Sequence, residues 1–158
     1  MVDNVSWMTV LPIITGQDAD VLRTKAKTIP KVTKEIKKLI SDMQDTVKKA
    51  EGLGIAAPQI GTSLQVCLAN VNGKMTPLIN PEITWKSEET STMEEGCLSL
   101  PKINVDVTRP VEITVRYIDE HGDEQDRRFH DLDARVVQHE VDHLNGVLIV
   151  DYNHSPTV

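Results

Sequence analysis

The sequence predicts an α+β fold, with a run of strands lying between two helices. Three observations carry this. Apolar residues recur at helical spacing near residues 34–50 and again near 131–145. Between those stretches, short segments alternate apolar and polar residues and are separated by Asn-Gly, Asn-Pro and Gly-Asp turns. The 158 residues contain no repeat and no Pro/Gly/Ser-rich linker, so residues 1–158 are expected to form a single domain.

The first helix is expected from about Lys34 to Ala50, with Thr33 as its N-cap. Ile36, Leu39, Ile40, Met43 and Val47 form one stripe, and Lys37, Lys38, Asp42, Asp45 and Lys48 fill the opposite face. Lys48 and Lys49 suit the negative end of the helix dipole, and Gly52 is the expected stop. Leu64, Val66 and Leu68 alternate with Gln65 and Cys67, as in a strand. Asn72-Gly73 is a tight-turn signal leading into a strand at Thr76–Ile79. Asn80-Pro81 punctuates, and Ile83–Lys86 reads as a further short strand. Val111, Ile113, Val115 and Tyr117 alternate with Glu112, Thr114 and Arg116. A turn at 120–123 leads to a polar return strand over Glu124–Phe129, expected at a sheet edge. The second helix is capped by Asp131 or Asp133, runs to Asn145 and stops at Gly146.

Composition narrows the function. Seventeen basic against 24 acidic residues give a net charge of −7, which argues against non-specific nucleic-acid binding. Two cysteines are too few for a disulfide scaffold. Met1–Trp7 lacks the basic region of a signal peptide, and no apolar run approaches a membrane span. A cytoplasmic protein without membrane attachment is expected. In a reducing compartment, a noteworthy cysteine is a ligand or a nucleophile.

The chemistry concentrates on the second helix. His139-Glu140-Val141-Asp142-His143 reads HExxH. At i and i+4 the two imidazoles share one face and can hold one metal ion, while Glu140 can reach a water activated by that ion. Leu132, Val136, His139 and His143 lie on one stripe, so the histidines are expected to point inward. A third ligand is needed. The spacing HExxHxxGxxH would place a histidine where Ile149 stands. Only twelve residues follow Gly146, with Asp151 their sole acid, too few for a further helix to bring a carboxylate back. The best upstream candidate is Cys97, preceded by Gly96, which permits close backbone approach. Cys67 reads as a buried strand residue, and His121, His130 and His154 as solvated.

A third segment, Gly52-Leu53-Gly54-Ile55-Ala56-Ala57-Pro58-Gln59, is weak alone. With Glu95–Ser99 and Gln138–Gly146 it forms an ordered set that resembles the peptide deformylases, whose motifs are GxGLAAPQ, EGCLS and QHExDHLxG. Leu11-Pro12-Ile13 and Ile79-Asn80-Pro81 extend the resemblance over nearly the whole chain. It implies antiparallel sheets packed around a central C-terminal metal-binding helix. It implies a divalent metal held by Cys97, His139 and His143, with Glu140 as general acid/base. The Gln59 side chain and the Leu98 backbone N–H would stabilise the oxyanion. The implied reaction is hydrolysis of the formyl group from nascent peptides that begin with N-formyl-methionine. The metal would be Fe(II) in the cell, with Zn(II), Ni(II) or Co(II) able to replace it.

The resemblance further places Leu53, Gly54, Ile55, Gly96 and Val136 around the substrate. It pairs Glu95 with Arg109 to brace the cysteine loop. An exposed edge near Ile103–Val107 could receive a peptide by strand addition. Ile55 stands where the family usually has Leu, and Asn104 where some members have a peptide-binding arginine. Many relatives continue into a basic C-terminal helix that contacts the ribosome; this sequence does not, so transient or no ribosome binding is expected. A metalloamidase for another acyl group and a non-catalytic metal module are the rival readings. Glu140 speaks against the second.

Overall fold

A computed structural model describes residues 8–152. His154 lies outside the described residues. The elements, in chain order, are α1 (Asp20–Arg23), α2 (Lys34–Lys49), β1 (Gly54–Ala56), a 3-10 turn (Ala57–Ile60), β2 (Val66–Val71), β3 (Lys74–Lys86), β4 (Thr90–Cys97), β5 (Leu100–Pro110), β6 (Glu112–Ile118), β7 (Glu124–His130), α3 (Asp131–Leu144) and a closing 3-10 turn (Ile149–Tyr152). The strands form an antiparallel five-stranded sheet, ordered β1-β2-β3-β6-β7, and a separate two-stranded ribbon, β4-β5. The α+β class holds, with antiparallel sheets and α3 between them.

The sheet is covered on both faces, and the period of two in β2 shows how. Val66 and Leu68 pack with Ile36, Ile40, Met43 and Val47 of α2. Cys67, Ala69 and Val71 turn the other way, against Ala134, Val137, Val141 and Leu144 of α3. The ribbon has its own small core, where Leu100, Val105 and Val107 meet Leu22, Leu148 and Ile149. Thus α3 faces the sheet on one side and the ribbon on the other.

Several boundaries differ from the sequence reading for identifiable reasons. Thr33 does cap α2, its hydroxyl accepting from Ile36 N–H at 3.3 Å. The chain leaves α2 through Glu51 at φ 56, however, not through Gly52. Gly52 is needed for space instead, since a Cβ there would lie 3.0 Å from Leu98. Asn72-Gly73 forms the expected two-residue hairpin, with φ of 51 and 79. Asn80-Pro81 does not end a strand. Asn80 takes φ 49 and the register shifts there, so one bent strand runs through to Lys86. Asp131 and Asp133 are not side-chain caps: His130 occupies the cap position without a side-chain bond, and both acids sit in the first turn. Leu132 is half exposed, not turned inward. The strands β1, β4 and β5 and the short α1 were not foreseen as regular elements, although the Ile103–Val107 edge does lie in β5.

Asn80 also ties the N-terminal segment to the sheet. Its Oδ1 accepts from Ile29 N–H at 2.8 Å and its Nδ2 donates to Ile29 C=O at 2.7 Å. Asn80→Gly is expected to destabilise the protein by about 2 kcal/mol through these two bonds. Asn80→Ala should cost about 1 kcal/mol more, because its Cβ opposes the left-handed backbone. Urea unfolding of the two variants checks both the sum and the difference.

Candidate metal centre and active site

Helix α3 projects His139 and His143 from one face, and the end of β4 supplies Cys97. The two Nε2 atoms are 3.3 Å apart, and Cys97 Sγ is 3.4 Å from His143 Nε2. All three donor atoms lie within 4.8 Å of one another. Ligands 2.0–2.3 Å from one tetrahedral ion stand roughly 3.3–3.6 Å apart, so this donor set fits a divalent cation. Two ring nitrogens facing each other at this distance share either a proton, in a hydrogen bond, or a cation. Burial opposes a charge on His139, yet Cys97 and Glu95 raise its pKa to about 10. Burial, then the charges of His139 and Arg109, push His143 well below its usual value. Of the two facing rings, His139 is thus the one that favours the proton.

Behind these three donors lies a buried ionic frame. Glu95 Oε1 meets His139 Nδ1 at 2.8 Å and accepts from Arg109 Nη2 at 3.0 Å. Its Oε2 accepts from Arg109 Nε at 2.7 Å and from Arg135 Nη1 at 2.6 Å. Arg109 Nη1 reaches Asp142 Oδ2 at 2.8 Å, and Tyr152 O–H donates to the same oxygen at 2.6 Å. Burial alone would raise the Glu95 carboxyl, but its bonds to His139 and Arg109 prevail and hold its pKa at about 2. The Glu95–Arg109 pairing was expected. Arg135, Asp142 and Tyr152 were not singled out, although Arg135 lies one helical turn before His139 and Asp142 within the HExxH segment.

Glu140 is buried beside the ligands, with Oε1 4.0 Å from His139 Nε2 and Oε2 lacking a protein partner. Burial lifts its pKa to about 7 against the pull of His139 and Arg109. Gly54 lets this happen: a Cβ there would meet Leu68 C=O at 2.6 Å and Glu140 Oε1 at 2.9 Å. Buried Gln59 is fixed at both ends of its amide. Oε1 accepts from Ala56 N–H at 2.9 Å, and Nε2 donates to Ser99 Oγ at 3.1 Å, 3.8 Å from Cys97 Sγ. Cys67 lies fully buried in the sheet, where burial and the Glu140 charge push its thiol up.

Gln59, Cys97, His139 and Glu140 open onto a cavity of about 530 Å³. Leu53, Gly54, Gly96, Leu98 and Val136 line it, with Met93, Ile103 and Leu132 adding apolar wall. Ile55 does not line it. It alternates to the opposite face of β1 and packs in the α2 core. His121 and His130 are exposed and remote from the cavity, His130 pairing with Glu112 at 2.6 Å.

A family model described as polypeptide deformylase matches residues 10–157. The chain belongs to the polypeptide deformylase family. It is 50% identical over 131 residues to a peptide deformylase of Pseudothermotoga lettingae, covering 83% of this chain and 76% of the relative. The crystal structure of peptide deformylase from Thermotoga maritima superposes with a TM-score of 0.87 at 40% identity, covering 90% and 97% of the two chains. That of Ehrlichia chaffeensis in complex with actinonin gives 0.88 at 36% identity, covering 92% and 89%. Deformylases are metal-dependent hydrolases that remove the N-formyl group from nascent peptides, and no helix among the described residues is long and apolar enough to cross a membrane.

The Glu95 frame generates a pH prediction. A carboxyl held near 2 and free near 4.5 stabilises the fold fully above about pH 4.5. That contribution, about 3 kcal/mol, drains away as pH falls toward 2. Glu95→Gln should abolish this component of acid unfolding and lower stability at pH 7, as circular dichroism across pH 2–7 would read.

Proposed function

We propose that the whole chain acts as one catalytic domain that hydrolyses the N-formyl group of N-formyl-methionyl nascent peptides, with Cys97, His139 and His143 holding the metal. The observation that carries the mechanism is the buried carboxylate oxygen of Glu140, without a protein partner and beside a Cys/His/His donor set. When bound, a divalent ion supplies Lewis acidity that activates water and polarises the carbonyl. Glu140 takes a proton from the attacking water and returns it to the leaving amine, a role suited to a pKa of about 7. Water adds to the formyl carbon, the C–N bond breaks, and formate and a free amine leave.

Gln59 Nε2 and the Leu98 backbone N–H donate to the carbonyl oxygen as its charge grows. The Gln59 amide needs no reorganisation, because Ala56 N–H and Ser99 Oγ already orient it. Leu53, Gly54, Gly96 and Val136 flank the methionine side chain, and Ile55 supports them from the core. An Acinetobacter baumannii relative, 32% identical, has a crystal structure with Met-Ala-Ser bound. This tripeptide is what deformylation of formyl-Met-Ala-Ser would release. Fe(II) is the proposed ion in the cell. Cys with two His also accepts Zn(II), Ni(II) or Co(II). The work is placed in the cytoplasm, where the free Cys67 and Cys97 stay reduced.

Formyl-Met-Ala-Ser is expected to be cleaved and acetyl-Met-Ala-Ser left intact; equal cleavage would favour a general metalloamidase. Glu140→Ala should keep the metal and lose at least about 10²-fold in kcat. Gln59→Ala should lose about 10²–10³-fold. Unchanged turnover in either variant refutes that residue's role. Ribosome encounter is proposed to be transient and nucleic-acid binding absent, in keeping with the net charge of −7. Stable co-sedimentation with ribosomes at physiological salt would overturn this.

A further inference from the structure

We propose that Arg135 is a positioning residue for His139: together with Arg109 it fills one oxygen of Glu95 and so reserves the other for the His139 ring. The proposal rests on reading Cys97, His139 and His143 as metal ligands.

Arg135 lies on α3 four residues before His139, hence on the same helix face. It is an arginine in the interior, with its side chain 7% exposed. Burying a guanidinium is costly unless its donors are matched. Here four of the five N–H donors are matched. Nη1 reaches Glu95 Oε2 at 2.6 Å and Val107 C=O at 3.0 Å, while Nη2 reaches Ser91 C=O at 2.8 Å and Ser91 Oγ at 3.2 Å. Every partner belongs to the β4-β5 ribbon. The arginine therefore joins the helix that carries two ligands to the ribbon that carries the third.

The effect on the ligand follows from acceptor capacity. A carboxylate oxygen accepts about two strong bonds in its plane. Arg109 Nε and Arg135 Nη1 fill Oε2 of Glu95, and Arg109 Nη2 takes one position on Oε1. The remaining direction on Oε1 meets His139 Nδ1. A His139 that donates from Nδ1 presents the lone pair of Nε2, the nitrogen facing Cys97 and His143. Without Arg135 the carboxylate is held on one side only and can pivot about the Arg109 fork. Lysine cannot restore the clamp, because one ammonium cannot span Glu95 and Ser91 as a planar fork does. Arg135 also lines the cavity, so a fair variant must keep the bulk of its side chain.

Arg135→Met keeps the stem and deletes the fork. The test uses the full chain, Zn(II) affinity by chelator competition, and kcat and KM on formyl-Met-Ala-Ser. Arg135→Met should bind Zn(II) about 10–100-fold more weakly, with kcat reduced and KM within about twofold. Arg135→Lys should fall between it and the parent, and it decides by the same comparison should Arg135→Met fail to fold. In a Glu95→Gln background, Arg135→Met should change Zn(II) affinity by less than about twofold, because both substitutions break the same chain of contacts. Zn(II) affinity within about twofold of the parent in folded Arg135→Met, or a full additive loss in the Glu95→Gln background, overturns the proposal. A parent chain that fails to bind one Zn(II) overturns the ligand reading itself.

Discussion

The fold around the site depends on one ionised carboxylate kept out of water. Glu95 holds a ligand-bearing imidazole on one oxygen and two arginines on the other. Removing either arginine would leave the buried charges unbalanced, where the penalty is several kcal/mol. The pairing therefore specifies how α3 sits against the β4-β5 ribbon more sharply than the small apolar core between ribbon and chain ends could do alone. Hydrophobic contact sets that these parts meet, and the charge frame sets their register.

The sheet side of α3 works on other terms. There the contacts are Ala, Val and Leu against β2, β3 and β6, close-packed and insensitive to pH. Gln65 closes the C-terminal end of the helix by donating from Nε2 to Leu144 C=O at 3.1 Å and to Ala26 C=O at 3.0 Å. One helix is thus held by packing on one face and by hydrogen-bonded charge on the other. His139 and Glu140 lie near the boundary between these environments, where a titratable group can be both buried and reachable from the cavity.

Much of this was legible from residues alone, and the gaps have physical causes. The α2 stripe announces itself because only one face of that helix is covered. That Cys97, His139 and His143 come together was legible because helical spacing and the chemistry of sulfur and imidazole donors constrain such a set tightly. The strand β4 was hidden because most of its positions are exposed Thr, Ser, Glu and Gly, and its one buried position holds Glu95 where an apolar residue would be expected. Asn80-Pro81 looked like a break because neither residue favours a strand; a bulge absorbs them. Ile55 was placed at the substrate by motif position, but a shift of one residue along a strand reverses its face. Arg135 and Asp142 escaped notice because charged helix residues ordinarily face solvent, and only the fold brings the ribbon to meet them.

The four-charge frame also bears on valence. Glu95 and Asp142 are opposed by Arg109 and Arg135, so the frame is electrically silent. What remains at the centre is the Cys97 sulfur and the Glu140 carboxyl, whose ionised forms a cation beside them would favour. With both ionised, an ion of charge two would balance them. A monovalent ion would leave the interior negative and a trivalent one positive, each at the cost of an unscreened charge in low dielectric. Charge balance would thus favour divalent ions, and selection among them would fall to ligand softness and supply.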